Sequence, residues 1–249
     1  MQHKSRPIPS HHGWPTPEKS NSDIFLGLQI DEHVKWYKNS SKVCTKVGRL
    51  VGMMKRVKNF VTPRALKTIY NTLVLPRFTY GKAVWGGTFE KGLTKLKKLQ
   101  KKAVRTVAKA HARDHTEPKQ KELRILKIED LYMQQVSCLM FDCLKGQAPE
   151  NLRDLFRKRN ENEGSSTRSM TARTEEVILP RTRGCSASRS FKAKGPECWN
   201  KLPATLHDIT KKSLFKSTLK NHLLESYKNK TECSNTHCKD IHHCIHIPN

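Results

Sequence analysis

Acidic residues are nearly missing from one long stretch of this chain. Residues 35–113 hold 21 Lys and Arg but a single acid, Glu90. An ordinary solvated face mixes both signs, so that composition excludes a neutral scaffold and requires an anion to offset the self-repulsion. Long apolar runs are lacking too. No stretch nears the roughly 18–20 apolar residues needed to cross a bilayer, and the Pro- and His-containing start has no apolar secretory core. The expectation is a protein without a membrane partner, not secreted, in the nucleus or the cytoplasm. Hydrophobic residues make up only 35% of the 249 residues, so the core must be lean. Eight Cys in such a compartment read as reduced thiols or metal ligands rather than as disulfides.

Recognisable catalytic frames are scarce as well. No Gly-rich loop cradles phosphate; Gly48 and Gly52 fall inside a helical pattern, where close helix approach is the simpler account. No nucleophile elbow or base motif frames the Ser, His and Asp residues. Glu129 and Asp130 stand where a helix begins, and carboxylates there meet the helix dipole favourably.

What is present is positive charge, in one block. Of the formal net charge of +26, residues 35–113 supply +20 and residues 164–230 supply +9, while the other segments are near neutral. Val43, Val47, Leu50, Met54 and Val57 alternate four and three apart, which predicts an amphipathic helix from about Ser41 with Lys42, Lys46, Arg49 and Arg56 on another face. Thr62-Pro63 is a helix start, carrying Leu66, Ile69, Tyr70 and Leu73 before Pro76 stops it. A further helix is predicted over 91–109. Its apolar stripe is Leu93, Leu96, Ala103 and Val107; its basic stripe is Lys91, Lys95, Lys98, Lys102, Arg105 and Lys109. Five like-charged neighbour pairs along that stripe cost an isolated helix about 1–2.5 kcal/mol. With no acid beside them, the stripe reads as a phosphate-contacting face, which gives affinity without base specificity.

Elsewhere, Ile24 to Ile30 form a short apolar, strand-like run bounded by Asp23 and Asp31. Residues 129–145 are helical and end at Gly146 and Pro149. Gly195-Pro196 with Trp199 reads as a turn bearing an anchoring aromatic, and residues 213–227 as a last helix. Trp36, Trp85 and Trp199 sit in apolar settings and read as core anchors. The tail carries Cys233, Cys238, His242 and Cys244, the ligand inventory of a tetrahedral zinc site, with a compressed second half.

Several segments, in order, resemble the reverse transcriptases of non-LTR retrotransposons. They are Phe25-Leu26-Gly27-Leu28-Gln29-Ile30-Asp31 with Trp36; Lys46-Val47-Gly48-Arg49-Leu50; and Ile69-Tyr70-Asn71-Thr72-Leu73-Val74-Leu75-Pro76-Arg77-Phe78-Thr79-Tyr80-Gly81 running to Trp85. Leu99-Gln100-Lys101-Lys102-Ala103-Val104-Arg105 and Gly195-Pro196-Glu197-Cys198-Trp199-Asn200-Lys201-Leu202-Pro203 complete the set. The likeness covers about residues 23–228.

That resemblance implies a primer-grip-like hairpin at Phe25, Leu26 and Gly27 on a palm edge, followed by a thumb that closes on template–primer duplex. The expected fold is mainly α: a thumb-like helical bundle with a short N-terminal β segment and a flexible leader and tail. The expected organisation is a leader (1–22), palm edge (23–36), basic helical region (37–113), helical post-thumb region (114–159), linker (160–189), C-terminal helical segment (190–228) and Cys/His-rich tail (229–249).

In the family, aspartates upstream of the Phe-Leu-Gly block hold two Mg²⁺ ions for nucleotide addition. Only about 24 residues precede the block here, and they contain no Asp-Asp pair. The expectation is therefore a truncated reverse transcriptase fragment, not an enzyme by itself. It binds RNA, DNA or RNA–DNA duplex through phosphates and carries no cofactor apart from the zinc that the tail suggests. Mg²⁺ belongs only to a complete parent polymerase. Two alternatives stand beside it: a piece of a polymerase whose gene start is misplaced or whose palm is a separate chain, and a non-functional relic of a retroelement.

Overall fold

A computed structural model describes residues 20–87, 90–158, 176–184 and 187–227. The chain is mainly helical with one two-stranded sheet, as the sequence predicts. The leader through residue 19, most of the expected linker and the Cys/His tail lie outside the described residues, and with them Cys233, Cys238, His242 and Cys244.

The strand-like run resolves into a hairpin. Strands β1 (Ser22–Phe25) and β2 (Leu28–Asp31) pair antiparallel, with Phe25 opposite Leu28. Leu26 and Gly27 turn the corner with φ of 47° and 77°, and positive φ at both central residues is what a tight type I′ turn demands. Three ties seat the hairpin. Tyr80 Oη donates to the Leu26 carbonyl at 2.6 Å, the Gln29 N–H donates to Asn39 Oδ1 at 3.3 Å, and Leu28 packs where any side chain on Gly81 would stand.

Asp31 then clamps the connection. Its carboxylate accepts from the N–H groups of Lys35 at 2.9 Å and Trp36 at 2.6 Å. Trp36, at φ 62°, leads directly into helix α1 (Tyr37–Val57), which thus begins four residues before the predicted Ser41.

Thr62 caps α2 (Pro63–Ile69), its side chain accepting from the Ala65 N–H at 3.2 Å. The expected stop at Pro76 does not occur. A π-helical turn (Tyr70–Val74) hands over to α3 (Leu75–Thr79), with the Leu75 N–H donating five residues back to the Tyr70 carbonyl. Widening the ladder just ahead of Pro76 accommodates a ring and a missing donor that a regular α-helix rejects.

Helix α4 (Lys82–Trp85) and helix α5 (Glu90–Val107) follow, then α6 (Thr116–Glu122), α7 (Ile128–Leu144) and α8 (Glu150–Arg153). After a short 3-10 turn (Ala187–Arg189) come α9 (Phe191–Asn200), α10 (Ala204–His207) and α11 (Lys212–Glu225).

The Gly-Pro turn expected near Trp199 is a correction: α9 runs straight through Gly195 and Pro196. All three residues are buried, and Met140 Sδ on α7 would lie 2.5 Å from a Cβ at Gly195. Close packing on α7 overrides the local turn preference.

One hydrophobic cluster joins the whole, from Val47, Val51 and Met54 through Leu96 and Val107 to Trp199, Phe215 and Tyr227. Phe141, Phe215, Trp199 and His207 form a stacked series with centroid separations of 4.8, 5.8 and 4.7 Å. The end of the expected linker is tied down. Val177 is buried, and the Asn200 side chain both accepts from its N–H at 3.0 Å and donates to its carbonyl at 2.9 Å.

Candidate nucleic-acid interface

Helices α1 and α5 form the layer that carries the predicted basic stripes. Cys44 lies within electrostatic reach of Lys95, and Gly48 faces Leu99. Both pairings advance in the same sense along the two helices, so the helices run parallel. On α1 the buried residues are Val47, Val51 and Met54; on α5 they include Leu96, Ala103 and Val107. Lys42, Arg49 and Arg56, seven apart, lie across α1 from that buried set, and the 4-3 row of α5 lies across from its own. Two helices seated side by side on one core therefore present both basic rows on a common outer surface.

The side chains agree with this placement. Lys46, Arg49, Arg56, Lys95, Lys98, Lys102 and Lys109 are exposed and Lys42 is half-buried. None of these eight forms an ion pair with an acidic residue among the described residues.

Lys97, between them in sequence, behaves differently. It turns to the other side of α5 and pairs with Glu129 at 2.7 Å. Arg105 is partly withdrawn: it is half-buried, and its Nε donates to the Asp114 carbonyl at 2.8 Å, holding the loop after α5. Burial pushes the Arg105 pKa down while Asp114 opposes the shift. Lys91 is the second residue of α5, but its side chain lies outside the described residues.

Lys109 occupies a costly position. At φ 50° it is the left-handed residue of a Schellman turn: its N–H donates to Thr106 at 3.2 Å and the next N–H, of Ala110, to Arg105 at 2.9 Å. Arg124 repeats this after α6 at φ 54°, with Arg124 N–H to Lys121 at 3.1 Å and Ile125 N–H to Gln120 at 2.8 Å. Helix α7 builds the same turn with Gly146, as expected from sequence. A residue with a Cβ in that conformation costs roughly 1–2 kcal/mol, and a cation near the helix C-terminus returns about 0.3–1 kcal/mol of it.

The glycine expectation needs correcting. A Cβ at Gly48 would meet Leu99 at an ordinary 4.0 Å, and at Gly52 it would meet nothing within 4 Å. Neither glycine is needed for the helices to approach.

The primer-grip-like residues stand at the rim. Phe25 is 65% and Leu26 73% exposed. With Ile24, Val34 and Val84, also exposed, they give that end of the molecule an apolar surface. Val34, Trp36 and Val84 continue into a cavity of about 440 Å³ whose lining also includes Leu139, Arg189 and Phe191.

Glu129 and Asp130 are structural, as their position at the start of α7 suggests. Asp130 accepts a short hydrogen bond from Tyr227 Oη, and burial raises its pKa. No group of three or more His, Cys, Asp or Glu that could hold a metal occurs among the described residues. Likewise no described helix is long and apolar enough to cross a membrane. Set against family models, curated proteins and solved structures, the chain finds no match.

Proposed function

We propose that this chain binds nucleic-acid duplex without sequence preference through the outer surface of α1 and α5, as a thumb and post-thumb fragment of a non-LTR reverse transcriptase. The observation that carries the reading is a pair of parallel helices whose Lys42, Lys46, Arg49, Arg56, Lys95, Lys98 and Lys102 lie on their outer side with no paired acid among the described residues. Residues three and four apart on a helix advance about 4.5–6 Å along it, so each row can follow a phosphate backbone. No specific base contact is needed, which suits an enzyme part that must hold any template.

Each phosphate neutralised on duplex DNA contributes about −0.9 to the slope of log affinity against log salt. Seven engaged cations give a slope near −6 by that rule. Filter binding of a mixed-sequence duplex across a salt series tests this. Replacing the seven by Gln should remove most of the slope, and affinity indifferent to salt would refute the assignment.

A second reading makes the chain one half of a polymerase whose palm comes from elsewhere. The exposed apolar hairpin around Phe25 and Leu26 favours it, because such a surface is built to be covered. Primer extension with Mg²⁺ separates the two. The chain alone should give no product; product with a palm-bearing chain added would support the second reading, and product without one would overturn the first.

A further inference from the structure

A second group of cations is assembled by the fold from residues far apart in sequence. Lys67 comes from α2, Arg124 from the turn after α6, and Lys216 and Lys220 from α11. Lys220 is half-buried, and the charges of Arg124, Lys67 and Lys216 all bear on it. Burial first, then those three cations, push its pKa down, and no carboxylate among the described residues opposes them.

The contrast within α11 is informative. Lys212, Lys216 and Lys220 form one row four residues apart. Lys212 is neutralised by Asp142 at 2.6 Å, whereas Lys216 and Lys220 form no ion pair with a described residue.

Arg124 supplies an independent sign. It fills the left-handed turn position that α7 gives to Gly146, and its guanidinium is held by Asn221 Oδ1 on α11. Glycine would relieve the backbone there, yet the position carries a fixed cation aimed at the α11 row.

We infer that Lys67, Arg124, Lys216 and Lys220 form an oxyanion site that takes a phosphate group, supplied by a nucleic-acid backbone. The inference rests on the reading above only for the source of the phosphate. Its cations belong to other elements than the α1–α5 rows, so it gives the C-terminal helix a direct part in binding.

Two variants of the full chain test it: Lys67→Gln/Lys216→Gln/Lys220→Gln, and Arg124→Gly, which suits the local backbone and so keeps the fold. With a mixed-sequence duplex, the triple variant should make the salt slope shallower by about 0.9 for each phosphate that it no longer neutralises. Arg124→Gly should weaken binding without lowering the thermal midpoint.

Amide NMR of the wild-type chain identifies the source. Ile125 and Asn221 shifting with duplex but not with millimolar inorganic phosphate supports the backbone site; shifting with inorganic phosphate alone supports the same oxyanion chemistry with a free anion. An unchanged slope in the triple variant, with neither amide moving, overturns the site. The seven-residue α1–α5 variant is measured alongside. If it loses the slope and the triple variant does not, this site fails and the α1–α5 face stands; the reverse result keeps this site and removes that face.

Discussion

Lys82 is the side chain whose replacement should change this protein's stability most informatively. It sits on α4 at 1% exposure, its Nζ 4.1 Å from the centre of the Trp85 ring and without a hydrogen-bond partner among the described residues. Burial lowers its pKa from 10.5 to about 7; Glu129 opposes the shift and Lys97 adds to it. Glu129 cannot compensate fully, because it is already paired with Lys97 at 2.7 Å.

The sign follows from linkage. A folded pKa below the unfolded one means that the unfolded chain holds more protons between about pH 7 and 10.5, so stability rises with pH across that window. A shift of this size corresponds to roughly 5 kcal/mol against the charged form.

Lys82→Met keeps the length and removes the titration. The variant should be more stable than wild type by about 4 kcal/mol at pH 7, the gap shrinking by roughly 1.5 kcal/mol by pH 8.5 and levelling off below pH 7. Urea unfolding at pH 6, 7, 8 and 8.5 at constant ionic strength measures it. Stopping at pH 8.5 matters, because burial raises Cys198 to about 11 and also raises Cys44, Cys138 and Cys143. Those thiols ionise first in the unfolded chain and pull stability the other way; taking the difference between the two proteins cancels them. A gap that ignores pH, or a variant weaker than wild type, would refute the reasoning.

Two glycines provide opposite tests. At Gly52 a Cβ meets nothing, so Gly52→Ala should raise the urea midpoint by an amount equal to about 1 kcal/mol, the ordinary helix-interior preference. At Gly86 a Cβ would stand 2.2 Å from Tyr132 Cδ2 and 2.3 Å from the Lys82 carbonyl oxygen. Gly86→Ala should therefore cost about 1–3 kcal/mol in the same titration, and an unchanged midpoint would show that α4 and α7 are not tightly joined at this point.

Much of the helical layout was legible because it rests on period and caps. Thr62-Pro63 starts α2, Gly146 ends α7, and the 4-3 apolar spacing of α5 marks the residues it buries. What stayed hidden depended on partners distant in sequence. Pro76 and Gly195-Pro196 carry strong local stop signals, yet a π turn in one case and packing on α7 in the other let the helix continue.

The basic faces divide the same way. The α1 and α5 rows are periodic within one helix each and could be read directly. Lys216 and Lys220 stand one turn apart on α11, but Lys67 and Arg124 come from distant parts of the chain, and only the packing of α11 brings the four together. A signal did exist at Arg124: a basic residue directly after a short helical stretch, where glycine is usual. Sequence alone does not reveal a positive φ, so that signal could not be weighed.

The Phe-Leu-Gly-Leu-Gln-Ile-Asp run shows how a motif can divide its work in space. Leu28 and Ile30 pack on the core, and Asp31 holds the backbone of Lys35 and Trp36 so that α1 starts in place. Phe25 and Leu26 do neither; they point outward with most of their surface in solvent. A hairpin kept only for the core would have no use for two large apolar residues at its tip, where each leaves surface unburied at about 25 cal/mol per Å². The tip is also fixed rather than loose, since Tyr80 holds the Leu26 carbonyl and Leu28 fills the space beside Gly81. Rigid support beneath an exposed apolar tip is the arrangement expected of a contact surface. The basic row of α1 begins at Lys42, in the helix whose start the Asp31 clamp fixes, so the hairpin tip and that row keep a set spacing.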